Sequence, residues 1–436
     1  MLSRVAKRIL IVGAGAVGQV YGRHLTLAGC DVSVLVKPKY AKDAKDGFWL
    51  HHHRLRRTDP IVQFKPDQVY SDIPSARGIW HQIWICVPTP AVYEPWIDEL
   101  ARYMTGESTI VTFQPGLDEY EHICTKFDRE RVVQGMVGMI SYQAPLPGEH
   151  LEPGVAYLFP PFAPSTFGGQ RERATSVVEL LHKGGCPAAV RMDANEQAML
   201  GTSMLTPMIA ALEVANWNFK TFTSSPLLPL ALDASAEAAT VVEAKSGAKS
   251  WLMPKLRRPF VFKTLLPLAE SLTPFPLQKY LQYHFSKVRP QTIGNMRQFL
   301  EYGTSYGTST VALKELADHW YDELTSAHST SMAVLADLPD PMDDMVYPIP
   351  GEPYVEPPAA VPSVSASFAA VNTPVLAAPI VTDEEEVLDA TPLPAGIVHA
   401  ETVAAVLIPA PKLAIIADEP LHDIQDDHTP LPGSDT

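Results

Sequence analysis

Residues 8–36 read RILIVGAGAVGQVYGRHLTLAGCDVSVLV, and the fold is decided there. Ile9 to Val12 is a short apolar run with three β-branched residues, the composition of a buried parallel strand. Gly13-Ala14-Gly15-Ala16-Val17-Gly18 follows at once and fits G-x-G-x-x-G. Gln19 to Ala28 has the pattern of a helix that Gly29 ends, and Val32 to Val36 is a second apolar strand. A strand, a glycine turn, a helix and a strand thus follow one another within about 30 residues, the setting in which this glycine pattern has a physical meaning.

Each glycine has its own reason. Gly13 permits the tight turn out of the strand. Gly15, without a Cβ, lets a pyrophosphate approach the backbone. Gly18 lets the helix pack closely on the sheet. The helix N-terminus then presents free N–H groups and a positive dipole end. The stretch therefore predicts a dinucleotide site built from Gly13, Ala14, Gly15, Ala16, Val17 and Gly18.

The end of the second strand bears on which dinucleotide. Sites for NAD place an acid there to bind the ribose 2′-hydroxyl. Here the strand runs into Lys37-Pro38-Lys39, with no acid before Asp43. Lys37 and Lys39 would attract a 2′-phosphate, so NADP(H) is the expected cofactor.

The chain has 436 residues, enough for two folded domains with additions. Its formal charge of −15 is unevenly spread. Residues 337–436 hold 18 Asp and Glu, one Lys and 17 Pro, which leaves 31 acids and 33 Lys and Arg in the rest. The body is near neutral, so the overall acidity does not oppose a phosphate-bearing ligand. No nucleic-acid partner is expected. Cys30, Cys86, Cys124 and Cys186 are far apart and form no CxxC or metal-ligand spacing, a pattern suited to a reducing compartment. The first strand begins too early to leave room for a signal peptide, and no apolar run reaches the length of a membrane span. The expectation is a cytoplasmic protein.

Along the chain, Ala41–Gly47 reads as a short helix and Phe48–Arg57 as a polar edge strand. His51-His52-His53 cannot converge on one ion, because successive strand residues point to opposite faces, so no metal is expected. Arg54, Arg56 and Arg57 add a basic rim. Ile83–Val87 is a further central strand, and it ends at Pro88-Thr89-Pro90. Pro88 and Thr89 thereby stand at the carboxyl end of a strand, where cofactors lie in such sheets. Tyr93–Met104 reads as a helix and Ser108–Phe113 as a strand, followed by Gln114-Pro115-Gly116-Leu117. Arg131–Tyr142 and Ala156–Phe159 read as further strands.

From Glu172 the pattern turns helical. It includes Met199–Val214 with Pro207 inside, Ala231–Ala244, Leu277–Lys287, Met296–Tyr302 and Val311–Ser326. Leu252–Leu277, with several prolines and Lys255, Arg257, Arg258 and Lys263, reads as an irregular surface segment. The predicted architecture is α/β: a Rossmann-like parallel sheet domain over 1–170, an all-helical domain over 171–330, and a Pro-rich acidic disordered tail over 337–436. Short apolar pieces of the tail, Val403–Ile408 and Leu413–Ile416, are candidate docking segments for a protein partner.

The order of these pieces resembles the ketopantoate reductase (2-dehydropantoate 2-reductase) family over roughly residues 8–322. The most specific parts are GAGAVG at Gly13–Gly18, the basic Lys37 region, and Gln114-Pro115-Gly116-Leu117, where the family often reads Q-N-G-L. Glu237 with Val241, Val242, Ala244 and Gly247, and Gly303-Thr304-Ser305-Tyr306-Gly307, complete the match. The resemblance implies a Rossmann domain, a helical C-terminal domain, an active site between them, and reduction of 2-dehydropantoate by NADPH.

The family's polar site residues do not carry over. Its catalytic lysine opens a helix of the form K-x-x-x-N-x-x-x-N-P. Aligned on Pro207, this chain has Ala198 at the lysine and Thr202 and Thr206 at the asparagines. The asparagine of Q-N-G becomes Pro115. The lysine after the Rossmann strand falls near Pro88 or Thr89, the substrate-binding serine near Gln291 or Thr292, and a glutamate near Tyr306 or Gly307.

Two readings follow. In one, the chain is an NADP(H)-dependent oxidoreductase with a remodelled substrate site and a different small-molecule substrate, with a 2-oxo acid as the candidate class. Its general acid is then to be sought among Glu196, His284 and Tyr306. In the other, it is a non-catalytic dinucleotide-binding sensor or assembly protein on the same fold. The sequence leaves the catalytic residues, a homodimer and a partner for the tail open.

Overall fold

The computed structural model describes residues 6–331 except 56, 105, 162 and 250–257, with side chains described as far as residue 324. The expectations for Arg56, Lys255, Arg257 and the tail over 337–436, with its two docking segments, lie outside the described residues.

The opening stretch folds as strand β1 (Arg8–Val12), helix α1 (Ala16–Leu27) and strand β2 (Asp31–Leu35). Helix α2 (Ala41–Asp46) leads to β3 (Phe48–Arg54), β4 (Arg57–Thr58), β5 (Val62–Phe64), β6 (Val69–Tyr70) and β7 (Gln82–Ile85). After a short 3-10 turn at Thr89–Tyr93 come α3 (Trp96–Tyr103), β8 (Thr109–Thr112), α4 (Glu119–Lys126) and β9 (Val132–Met136). Then follow β10 (Ile140–Ala144), β11 (Gly154–Leu158), β12 (Ser165–Gly169), α5 (Arg171–Lys183) and β13 (Ala188–Val190).

These strands form two sheets. The larger has eight strands in the order β13-β12-β9-β8-β7-β1-β2-β6. Every neighbouring pair is parallel except β12 with β9. Strand β1 pairs with β2 on one side and β7 on the other, so the chain changes direction of travel across the sheet there. A crevice opens at the carboxyl ends of such a pair. Both faces of the sheet are covered. Ile9, Ile11, Val32, Val34, Trp84 and Val111 pack on one face, while Leu10, Val12, Leu35, Ile83, Ile85 and Ile110 pack on the other. That is why the strands read as unbroken apolar runs.

The smaller sheet changes one expectation. Strand β3 is an interior strand: it lies parallel to β11 on one side and antiparallel to β4 and β5 on the other. Its histidines carry the polarity of an edge strand, but their ring nitrogens are satisfied inside the fold, mostly by residues distant in sequence. His51 pairs with the Glu152 carbonyl at 2.8 Å, and His53 pairs with the Thr58 hydroxyl at 2.7 Å and the Tyr142 hydroxyl at 3.0 Å. His52 points the other way and stacks on Tyr157 with ring centroids 4.7 Å apart. Helix α5 and strand β13 extend the larger sheet, whose elements continue to Val190 where the sequence pattern turns helical at Glu172.

The helical region begins with α6 (Ala194–Val214), which runs through Pro207 as one helix. Helices α7 (Phe219–Ser224), α8 (Leu227–Ser246), α9 (Pro259–Leu272), α10 (Leu277–Lys287), α11 (Arg289–Tyr306) and α12 (Val311–Ser331) follow. Residues 259–272 are a helix where an irregular segment was expected. Pro259 sits in its first turn, where proline is tolerated, and Phe262, Leu265, Leu266 and Ala269 recur at helical spacing on its buried face. Glu213 ties this region together: its carboxylate accepts from Arg289 Nε at 3.0 Å and from Trp320 Nε1 at 2.8 Å. Among the described residues, no helix is long and apolar enough to cross a membrane.

Candidate functional site

The glycine turn has the geometry the sequence requires. Gly13 has φ +90°, and a Cβ there would stand 2.8 Å from the Cys86 carbonyl oxygen. A Cβ on Gly18 would collide with the Gly13 carbonyl oxygen, so this glycine sets how closely α1 approaches the turn. Around Gly15 the opposite holds: a Cβ would meet nothing within 4 Å. Gly15 is also the N-cap of α1, and no side chain caps the helix there. The first N–H groups of α1, from Ala16 and Val17, are thus left for a ligand or water. Gln19 braces the turn by donating its side-chain amide to the Ala14 carbonyl at 2.8 Å.

The other expected cofactor residues gather on the same carboxyl edge of the sheet. Lys37 follows β2 and is buried, whereas Lys39 is exposed, its ammonium 5.1 Å from the Tyr40 ring centroid. Pro88 and Thr89 follow β7, and Thr89 is buried at the start of the 3-10 turn. Gln114 follows β8 and folds back under the crevice. Its side-chain amide donates to the Val87 carbonyl at 2.8 Å, and its oxygen accepts from the Thr112 hydroxyl and the Phe113 N–H.

Helix α6 forms the facing wall. Ala198, Thr202 and Thr206 are all buried on it. The Thr202 hydroxyl lies 3.0 Å from the Pro115 carbonyl oxygen and 3.0 Å from the Ala198 carbonyl oxygen. This face of α6 therefore packs directly on the loop after β8, and the Thr202 hydroxyl that reaches the loop is engaged by backbone.

The three candidate acids are not brought together. Glu196 lies in the first turn of α6. His284 sits on α10 against Tyr280 and Phe285, and burial, then the Lys287 charge, depress it to about 4. It is a neutral imidazole at neutral pH. Tyr306, at the end of α11, is 45% exposed and stacks on Tyr302.

A polar cluster that the sequence reading missed does bridge the two walls. Asp118, four residues after Gln114, accepts from the Tyr302 hydroxyl at 2.7 Å and the Lys245 ammonium at 2.9 Å. The same ammonium stands 4.0 Å from the Tyr302 ring centroid. The Gln298 amide reaches Asp118 at 3.4 Å, and its carbonyl oxygen is enclosed without a hydrogen bond. Beside it, Glu119 accepts from the Tyr93 hydroxyl at 3.1 Å. Asp118 and Tyr302 are 184 residues apart, so no local pattern links them. The available signal was proximity of Asp118 to the Gln114 loop and of Lys245 to the Glu237–Gly247 segment.

Glu237 itself is structural. It accepts from the backbone N–H groups of Val311 at 3.0 Å and Leu313 at 2.9 Å, which caps the N-terminus of α12.

Comparison with known proteins agrees with this architecture. Residues 9–154 match the family model of ketopantoate reductase PanE/ApbA. The uncharacterized oxidoreductase YkpB of Bacillus subtilis (strain 168) is 28% identical over 132 residues, which are 30% of this chain and 40% of that protein. The matched stretch thus spans well under half of the curated relative. Among solved structures, 2-dehydropantoate 2-reductase from Geobacter metallireducens GS-15 superposes with a TM-score of 0.53 at 19% identity. That superposition covers 72% of this chain and 99% of the other. D-mandelate dehydrogenase, in a ternary structure with NADH and anilino(oxo)acetate, gives 0.56 at 14% identity over 73% and 98%. At these identities the likeness establishes the fold. Residues 9–154 thus match the ketopantoate reductase family model, and the described chain, its helical region included, shares the fold of the solved 2-dehydropantoate 2-reductases.

Proposed function

We propose that this protein is an NADP(H)-dependent reductase of a small 2-oxo acid other than ketopantoate, working in the cytoplasm. The observation that carries the reading is the open space at Gly15, beside an uncapped helix N-terminus, at the carboxyl end of β1 between β2 and β7. These residues fit a dinucleotide. The N–H groups of Ala16 and Val17 would hold the pyrophosphate, Lys37 and Lys39 the 2′-phosphate, and Pro88 and Thr89 would line the nicotinamide end. The bound cofactor would supply a hydride. The chain's own part is to hold the dinucleotide at the sheet edge, to hold the substrate carbonyl against α6, and to protonate its oxygen.

A different substrate is inferred from the facing wall. Ketopantoate carries a carboxylate and a hydroxyl besides its carbonyl, and Ala198, Thr202 and Pro115 offer it little. A methyl group has no proton to give, and the Thr202 hydroxyl is engaged by backbone oxygens. The same observation supports a second reading, a dinucleotide-binding sensor or assembly protein without turnover. Titration of the purified chain with NADPH and NADH, followed by NADPH oxidation across a panel of 2-oxo acids, separates them. Binding with turnover of at least one acid supports the reductase. Binding without any turnover supports the sensor.

A further inference from the structure

Reduction of a carbonyl leaves an alkoxide that needs a proton, and the face of α6 has no group to give one. The fold does bring an ammonium to the seam between the two walls. Lys245, on α8, reaches Asp118 on the loop after β8, and Tyr302 of α11 lies beneath it. The same loop carries Pro115, whose carbonyl meets Thr202 of α6. Helix α11 also packs against the Thr89–Tyr93 turn, which follows the carboxyl end of β7. Lys245 therefore sits where the Gln114 loop and the helical wall converge.

The ammonium is held but not used up. It has three N–H bonds. Asp118 takes one, and Tyr302 engages it through its ring and oxygen. The side chain retains 19% exposure, so solvent reaches it. Burial works against the charge, but the hydrogen bonds with Asp118 and Tyr302 outweigh it and hold the lysine above its usual range. It is an ammonium at neutral pH, whereas His284 is not protonated there.

We propose that Lys245 is the proton donor of the reductase, fixed in place by Asp118 and Tyr302 as positioning residues. The proposal rests on the reductase reading above. In the step it serves, a reduced nicotinamide dinucleotide is oxidised and a 2-oxo acid is reduced. As hydride bonds to the carbonyl carbon, the C=O π pair moves onto oxygen. That oxygen takes a proton from Lys245 Nζ, and the neutral amine then regains one from water.

The test uses the full chain and two variants, Lys245→Arg and Lys245→Met. Arginine preserves the pairing with Asp118 and the contact with the Tyr302 ring, but it is far too weak an acid to replace the ammonium. Its melting temperature should be unchanged and its NADPH affinity should stay within about twofold of the unmutated value, while kcat on the best 2-oxo acid falls by about 10²-fold or more. Oxamate, a carbonyl analogue, should bind the NADPH complex of Lys245→Met about tenfold more weakly by fluorescence titration. Retention of more than about a tenth of kcat in Lys245→Arg overturns the proposal while leaving the reductase reading standing. So does unchanged oxamate affinity in Lys245→Met. Turnover of no acid by the unmutated protein, with NADPH bound, overturns the reductase reading itself and this proposal with it.

Discussion

The two walls, the carboxyl edge of the sheet and the face of α6 that meets the loop after β8, differ in what fixes their residues. The carboxyl edge of the sheet keeps each geometric feature a dinucleotide needs: the positive φ at Gly13, the open approach at Gly15 and the close helix packing at Gly18. The facing wall is one continuous helix through Pro207, with Ala198, Thr202 and Thr206 buried on it and Thr202 in contact with the loop after β8. At Gly13 and Gly18 the first wall is set by backbone geometry that leaves no room for a side chain. The second wall is set by helix packing, which Ala198, Thr202 and Thr206 satisfy without leaving the helix face.

Ketopantoate is the sharpest way to break this comparison. General acid catalysis is worth about 10²–10⁴-fold, and Ala198 supplies none. Orientation of the substrate's other groups is a further large part of the barrier. This protein should therefore bind NADPH yet reduce ketopantoate at less than about 10⁻² of an ordinary reductase rate. Turnover of about 1–10³ s⁻¹ with saturating NADPH would show that the substrate wall is intact and that alignment on Pro207 misplaces the lysine. Gain of activity in Ala198→Lys would sharpen the comparison in the other direction.

The first wall was legible in the sequence because its determinants are local. A strand, three glycines and a helix within 11 residues fix the turn (Arg8–Gly18), and Lys37, Pro88 and Thr89 follow strands that apolar runs mark. Architecture was legible for the same reason, through long periodic helices such as α6 and α8. What escaped was long-range. Asp118, Lys245 and Tyr302 meet only because α8 and α11 pack over the loop after β8. His51 and His53 looked like edge residues because their partners, Glu152 and Tyr142, lie about 90 to 100 residues away. Pro259 and Pro267 hid α9, since proline counts against a helix unless its position in the first turn, or compensation by packing, is known.

Acid should test how firmly the first wall is anchored. His24 of α1 is buried, and its Nδ1 pairs with the Gly184 carbonyl at 2.8 Å, at the end of α5. Burial, set against the Gly184 hydrogen bond, depresses it from 6.5 to about 4. The unfolded chain therefore binds a proton between pH 6.5 and about 4 that the folded chain refuses. Stability from this group is fully present above 6.5 and is lost as pH falls to about 4, an effect of about 3 kcal/mol. Urea unfolding at pH 7 and pH 4.5 should show a pH dependence that shrinks by most of that amount in His24→Gln. An unchanged dependence would mean that His24 protonates readily in the folded state.

Within the turn, two glycines should separate folding from binding. Gly18→Ala forces a methyl against the Gly13 carbonyl and should cost about 1–3 kcal/mol, as overpacking does. Gly15→Ala adds its methyl to open space, so the melting temperature should hold while NADPH affinity falls, by about tenfold. Equal loss of stability in both variants would break the distinction between a glycine that packs and a glycine that yields space to a ligand.

The smallest effect concerns which dinucleotide the first wall selects. Lys37 leaves the carboxyl end of β2 and is 7% exposed, and Lys39 lies two residues further on in solvent. A hydrogen bond to a charged group contributes about 1.5–3 kcal/mol when sheltered from water, whereas exposed ion pairs contribute about 0–1 kcal/mol. Lys37 should therefore carry most of the preference for a 2′-phosphate. NADPH should bind more tightly than NADH, and Lys37→Ala should weaken NADPH by at least about tenfold while leaving NADH within about twofold. Lys39→Ala should change NADPH affinity by no more than about fivefold. Because NADH lacks only the 2′-phosphate, the ratio of the two affinities isolates this contact from any general damage to the fold. Equal affinities for the two cofactors in the unmutated protein would refute the assignment, and a larger loss in Lys39→Ala than in Lys37→Ala would place the phosphate at the exposed rim.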